Sequence, residues 1–264
     1  MTVSLEGPKS VGWAASAVQW LNDPIVWLGL LFAALLVGMP ALAPIFAWAF
    51  PQVDPPVFAR ASFLSLWLSH LTLVAAASAS AAAVGISLAI FVTRPLGRDF
   101  RPIINALATI GQTFPPAAVL ALAVPALGFG ARPTIVALFL YGILPIVENT
   151  MAGLDGVSPA VQDAATGMGL SAWQRLRDVE LPLAAPAILA GLRLSVTIAI
   201  GTTTIGSTVG ALTLGTPIFD GLAGNKLPYV IQGAVLVALF AILTDMIFAC
   251  VDRRLRLPSR RGAG

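Results

Sequence analysis

DAATGMGLSAWQRLRDVELP, residues 163–182, is a polar segment with strongly apolar sequence on both sides. It carries three acidic and two basic residues, and its meaning depends on what it interrupts. The whole chain has 264 residues, is 58% hydrophobic and 10% charged, and has a mean hydropathy of +0.90. Soluble domains are about 25% charged, so a water-soluble fold would leave too little polar surface. The apolar runs beside the segment are about 20 residues long, enough to cross a bilayer as a helix and twice what a barrel strand needs. The chain is therefore read as an all-α integral membrane protein. Cys250 is the single cysteine, which excludes an internal disulfide and a thiolate metal cluster. The net charge of +3 gives no reason to expect nucleic acid.

Outward from this segment, about six spans are expected. They run at about Ile25–Phe50 with kinks at Pro40 and Pro44, Leu66–Thr93, Ile103–Leu127 interrupted by GQTFPP (111–116), a short Pro133–Val147, Leu183–Leu212 and Tyr229–Val251. Residues 1–24 form a lead-in without the basic cluster and short apolar core of a signal peptide. Residues 25–252 form one transmembrane domain with a loop at 148–182, and residues 253–264 form a basic tail. With both ends in the cytoplasm, the inner side holds Lys9, Arg94, Arg98, Arg101, Arg175, Arg177, Arg193 and the tail arginines 253, 254, 256, 260 and 261. The outer side holds only Arg60, Arg132 and Lys226. This asymmetry follows the positive-inside rule and places residues 163–182 in the cytoplasm.

The loop is long for a simple reversal and carries its own helix signals. Ser158-Pro159 reads as an N-cap followed by proline at the first helical position. That helix runs to Thr166 and stops at Gly167 or Gly169, where glycine accepts the left-handed conformation of a helix end. Ser171 and Gln174 then form a capping box, and Trp173, Leu176 and Val179 share one face of the second helix. A helix of two turns is marginal in water, so docking must stabilise it. On these features alone, a groove on a partner protein and the lipid surface are both open.

Asp163-Ala164-Ala165, then Gly169, then Val179-Glu180-Leu181-Pro182 resembles the EAA loop of bacterial ATP-binding-cassette (ABC) importer permeases. That pattern is Glu-Ala-Ala, three residues, Gly, nine residues, Ile, one residue, Leu-Pro. Asp replaces Glu and Val replaces Ile at matched spacing. GQTFPPAAVLALAVPALGFG, FLYGILPIVENTMAGL and TIGSTVGALTLGTPIFDGL also look like stretches of the permeases that import glycine betaine, choline, carnitine and related osmoprotectants. The likeness covers roughly residues 100–252. It implies a type I ABC importer-like fold in a bacterial inner membrane, with the first loop helix seated in a cleft of a cytoplasmic ABC ATPase. Asp163 would pair with a basic group, Ala164 and Ala165 would permit close approach, Gly167 and Gly169 would turn the chain, and Leu181-Pro182 would anchor the loop. The resemblance implies a second permease copy or similar chain, two ATPase subunits carrying ATP and Mg, and an extracytoplasmic substrate-binding protein.

No GxxxxGK[ST] P-loop occurs in the chain, so nucleotide binding is not expected here. TGMGLSA (166–172) echoes a dinucleotide fingerprint without the βαβ unit that would give it meaning. No catalytic residue, metal site or cofactor is expected. The fifth span is rich in hydroxyls, and Thr203, Thr204 and Ser207 are read either as lining a wet path or as packing. Gln112, in the proline-broken third span, is a second candidate for the path, since freed carbonyls need water or protein beside them. Arg193 and Asp245 are intramembrane charges placed to form an ion pair. His70 reads as a hydrogen-bonded packing residue rather than a proton relay. Most tryptophans fall near the N-terminus and span ends, which fits interfacial anchoring, and no aromatic cage is assigned. The expected function is an osmoprotectant importer permease. The alternatives are an importer permease for another small solute, an ion-coupled secondary transporter, for which intramembrane charges are few, or a membrane scaffold.

Overall fold

The structure, a computed structural model, describes residues 24–256, and among these the regular elements are all helices. Most of the expected lead-in (1–23) and of the tail (257–264) lies outside the described residues. The first crossing is α1 (Pro24–Gly38), a 3₁₀ turn at Met39–Leu42 and α2 (Ala43–Ala49). The turn coincides with Pro40, whose ring and missing N–H interrupt the helical ladder. A loop leads to α3 (Phe63–Thr93), capped where the Ser62 hydroxyl accepts from the Ser65 N–H at 3.2 Å.

The third crossing is broken. Helices α4 (Arg101–Thr113) and α5 (Pro116–Leu127) meet at 95° across Phe114-Pro115. Arg101 at the start of α4 pairs with Asp155 at the end of α6 (Ala131–Asp155), and α5 ends just before α6 begins. The bent pair thus passes along the whole of α6 and counts as one span, which makes six with the five continuous ones. Gly128 and Gly130, at φ +79° and +102°, make the reversal into α6.

Two carbonyls left without a helical partner are satisfied around Tyr141. Pro145 inside α6 offers no N–H to the Tyr141 carbonyl, and Gln112 Nε2 of α4 donates to that carbonyl at 2.8 Å instead. The Tyr141 hydroxyl in turn donates to the Phe114 carbonyl, freed by the α4–α5 break.

α6 is longer than the expected Pro133–Val147. Glu148 is exposed on a helix that continues for two more turns to Asp155, so the loop begins at Gly156. A charge marks where a helix meets water, not where it unwinds. Between α6 and the next span lie α7 (Pro159–Gly167), α8 (Ala172–Arg175) and a π turn (Leu176–Glu180). The span itself is α9 (Leu181–Ile205), closed by a 3₁₀ turn at Gly206–Val209. A short helix, α10 (Thr216–Ala223), precedes α11 (Leu227–Arg256).

The centre of the bundle is α6 packed between α3 and α9. Small residues allow it: a Cβ at Gly142 would come within 2.6 Å of Ser195 Oγ, and one at Gly191 within 2.7 Å of the Pro145 carbonyl. His70 of α3 is fully buried, its Nε2 lying 3.1 Å from the Ile200 carbonyl and its ring edge-on to Phe240. It ties α3, α9 and α11 together as a packing residue. At one end of the bundle, Gln232 holds the loop before α3 by accepting from Phe58 N–H (3.0 Å) and donating to the Pro56 carbonyl (2.9 Å). Tyr229 donates to the Pro55 carbonyl beside it.

Candidate functional site

The end of the bundle that holds Arg94 and Arg101 presents the loop of residues 156–180. Ser158 caps α7, its hydroxyl accepting from Val161 N–H at 3.4 Å, and Pro159 follows at the first helical position. Gly169 takes φ +83°, and Leu170 N–H bonds back to the Ala165 carbonyl at 3.2 Å, closing the helix end. Ser171 and Gln174 form the reciprocal capping box, with bonds of 2.9 and 3.3 Å. The local signals of the sequence thus give two short helices with a glycine joint.

The helix α7 has two different sides. Ala165 is wholly buried against the protein, whereas Asp163, Ala164 and Gly167 are exposed. Val161 and Met168, the latter 71% exposed, flank Ala164 and give the outward side an apolar surface of small relief. Of the face expected across Trp173, Leu176 and Val179, Trp173 and Leu176 line one hollow beside Arg94 and Pro95, while burial along it is uneven. Leu176 is buried, Val179 half-buried and Trp173 67% exposed, since α8 is one turn long and the π turn changes the helical phase after it.

Glu180 lies in the π turn just ahead of the fifth span, and no role attaches to it in the loop pattern. It is 2% exposed. Arg94, from the end of α3, donates to its Oε2, and Arg175 Nε donates to its Oε1 at 3.0 Å. Arg175 Nη1 also reaches Thr166 Oγ1 on α7 at 3.1 Å. Burial alone would raise the Glu180 carboxyl; the Arg94 guanidinium, then that of Arg175, outweigh it and hold the group below the usual carboxylate range. Leu181 and Pro182 lie in the first turn of α9 immediately beyond. The only sequence signal for this cluster was a glutamate flush against an apolar run, because Arg94 lies 86 residues away.

Within the spans, Arg193 and Asp245 meet through two bonds, Nε–Oδ1 at 2.5 Å and Nη2–Oδ2 at 2.6 Å. Their side chains are 40% and 43% exposed, so the pair lies on the outside of the chain. Glu148 forms no ion pair among the described residues. The candidate path residues lie apart. Thr203 is fully buried and donates to the Ala199 carbonyl, and Thr204, partly exposed, donates to that of Ile200. Ser207 joins Thr213 and Thr216 in a hydroxyl cluster at the end of α9 far from the 156–180 loop, and Gln112 is engaged at Tyr141. Thr203 therefore faces protein in this conformation. The open side of α9 is instead Ala190, Leu194, Thr197 and Gly201, a single stripe at helical spacing with Thr204 at its edge.

Six crossings among the described residues, small-residue packing and a capped polar loop at one end define a multi-pass membrane protein. Residues 81–257 match the family described as binding-protein-dependent transport system inner membrane component, and the chain belongs to that family. The family suggested by the loop pattern is thus the one found. The chain is 43% identical over 196 residues to the osmoprotectant import permease protein OsmY of Salmonella typhimurium, covering 74% of this chain and 83% of that protein. It is 41% identical over 185 residues to the glycine betaine/carnitine/choline transport system permease protein OpuCB of Bacillus subtilis, covering 68% and 85%. In fold it is similar to a chain of the MetNI methionine ABC transporter in an inward-facing conformation, with a TM-score of 0.64, 20% identity, and coverage of 71% and 93%. It is also similar to a chain of an amino acid ABC transporter, with a TM-score of 0.61, 18% identity, and coverage of 83% and 98%.

Proposed function

We propose that this chain is the permease subunit of an ATP-driven importer of osmoprotectants such as glycine betaine, choline or carnitine. It lies in the bacterial cytoplasmic membrane with the 156–180 loop and both chain ends in the cytoplasm. The carrying observation is α7, a capped helix fixed to the bundle through Ala165 while Val161, Ala164 and Met168 stand exposed together. An ordered helix with an apolar outward side is suited to a partner's cleft. Cytoplasmic placement is supported by Arg94, Arg98, Arg101, Arg175 and Arg177 at this end against Arg60, Arg132 and Lys226 at the other.

ATP and Mg then belong to a separate ATPase whose closure moves α7. The substrate path runs along the open stripe of α9. Hydroxyls and the half-exposed Arg193–Asp245 pair are ill suited to acyl chains, so this side meets a second permease, itself a copy or a similar chain. Closure of the ATPase pair swings the inner ends of the paired helices, and the seam between permeases opens alternately to each side. The substrate is delivered by a separate extracytoplasmic binding protein. The substrate class is supported by the names of the relatives, 43% and 41% identical.

The test is reconstitution in liposomes with the co-purifying ATPase and binding protein. ATP-dependent uptake of radiolabelled glycine betaine, choline or carnitine is expected. Uptake that proceeds without any ATPase, driven by an ion gradient, would overturn the proposal.

A further inference from the structure

We infer that Glu180 is the positioning residue that carries displacement of α7 into the spans. This inference rests on the reading of α7 as the ATPase contact. The main contacts of α7 are with α8 and the π turn, so a push on α7 reaches that short segment directly, beside the 156–158 link back to α6, where Gln162 Nε2 donates to the Val157 carbonyl. A continuous polar chain runs there: Thr166 Oγ1 on α7 to Arg175 Nη1, Arg175 Nε to Glu180 Oε1, and Glu180 Oε2 to Arg94 Nη2. Arg94 directly follows the 31-residue α3 and Glu180 adjoins the first residue of the 25-residue α9. One buried carboxylate thus joins the loop to two spans, with a different element on each oxygen. In the loop pattern Glu180 is the unspecified residue between Val179 and Leu181-Pro182, so the pattern assigns it nothing.

Two details favour a movable joint over a static brace. Arg94 engages Glu180 through Nη2, while its buried Nε has no partner. Arg193, by contrast, grips Asp245 with both prongs. A fork held by one prong keeps a second arrangement within reach. The segment that carries Glu180 is also a π turn, a backbone form concentrated at functional sites. Coupling needs an element with two discrete arrangements, and a carboxylate held at both oxygens has engaged and released states.

The test uses the full permease with its co-purified ATPase and binding protein in liposomes. Uptake of radiolabelled glycine betaine, choline and carnitine is measured beside ATP hydrolysis for wild type, Glu180→Gln, Arg94→Gln and Thr166→Val. Glu180→Gln and Arg94→Gln should retain the ATPase and hydrolyse ATP while transport per ATP falls about tenfold. Thr166 is exposed, so Thr166→Val tests the chain without threatening the fold. It should lower the same ratio about threefold and add nothing on top of Arg94→Gln. An unchanged ratio in Glu180→Gln, or additive losses in the double variant, would overturn the inference. So would loss of the ATPase from the two Gln variants with Thr166→Val normal, since Glu180 would then serve docking alone. If wild type itself retains no ATPase, the docking reading fails and takes this inference with it.

Discussion

Arg193 and Asp245 join α9 to α11 about 18 and 27 Å from the first residues of those helices, counting 1.5 Å per residue. Their charges offset one another, and two parallel hydrogen bonds fix the geometry. Removing one partner strands the other in a low-dielectric setting. For a fully buried pair that costs about 3–5 kcal/mol; with both side chains near 40% exposed, roughly 1–3 kcal/mol is expected. Arg193→Ala and Asp245→Ala should therefore each lower the thermal midpoint of the purified protein by several degrees. Exchanging the two charges should restore most of the loss, and two silent single variants would show that the pair contributes nothing. Both charges were visible in the sequence because intramembrane charges are rare. Which side of the helices they occupied was not, since helix rotation is set by packing partners distant in sequence.

At the scale of the element, the α4–α5 break and the loop show what local sequence can and cannot specify. GQTFPP announced a break, because two successive prolines remove donors whatever surrounds them. What occupies the freed carbonyl was not legible. Tyr141 lies 27 residues from Phe114 and carries no mark distinguishing it from an interfacial tyrosine. Tyr141→Phe should leave the Phe114 carbonyl unsatisfied at about 1–2 kcal/mol, seen as a thermal midpoint lower by about 2–8 °C. A midpoint unchanged in Tyr141→Phe would mean that the break is held by packing alone. The loop caps were legible for the opposite reason: Ser158, Ser171 and Gln174 act on backbone groups three residues away. Gly169 at φ +83° is the joint. Proline there would demand φ near −65° and would remove the N–H that bonds the Thr166 carbonyl at 2.9 Å. Gly169→Pro should therefore reduce ATPase recovery on affinity purification at least severalfold. Met168→Glu, which leaves the joint intact and charges only the apolar outward side, should do the same. Normal recovery with Met168→Glu would mean that this side of α7 is not the contact.

For the whole molecule, hydropathy gave six crossings, and family resemblance gave the class. Span ends were less legible. α6 was expected to end before Glu148, yet it runs to Asp155, where Arg101 meets it. Hydropathy records where side chains leave lipid, whereas a helix continues while its backbone bonds do, so the loop end of the bundle projects beyond the apolar zone. That projection sets the orientation prediction. With Cys250 replaced by serine, single cysteines at Asp163 and at Asn225, in the turn between α10 and α11, both lie at exposed positions. In intact cells a membrane-impermeant maleimide should label position 225 within minutes and leave position 163 unlabelled until the membrane is opened. The asymmetry of Lys and Arg carries this expectation, since each inner arginine would need to cross the bilayer to reverse it. Labelling of 163 in intact cells would put α7 outside, out of reach of any cytoplasmic ATPase. ATPase coupling through α7 would then be impossible, and the Arg94–Glu180–Arg175 cluster would be only a structural tie at the outer surface.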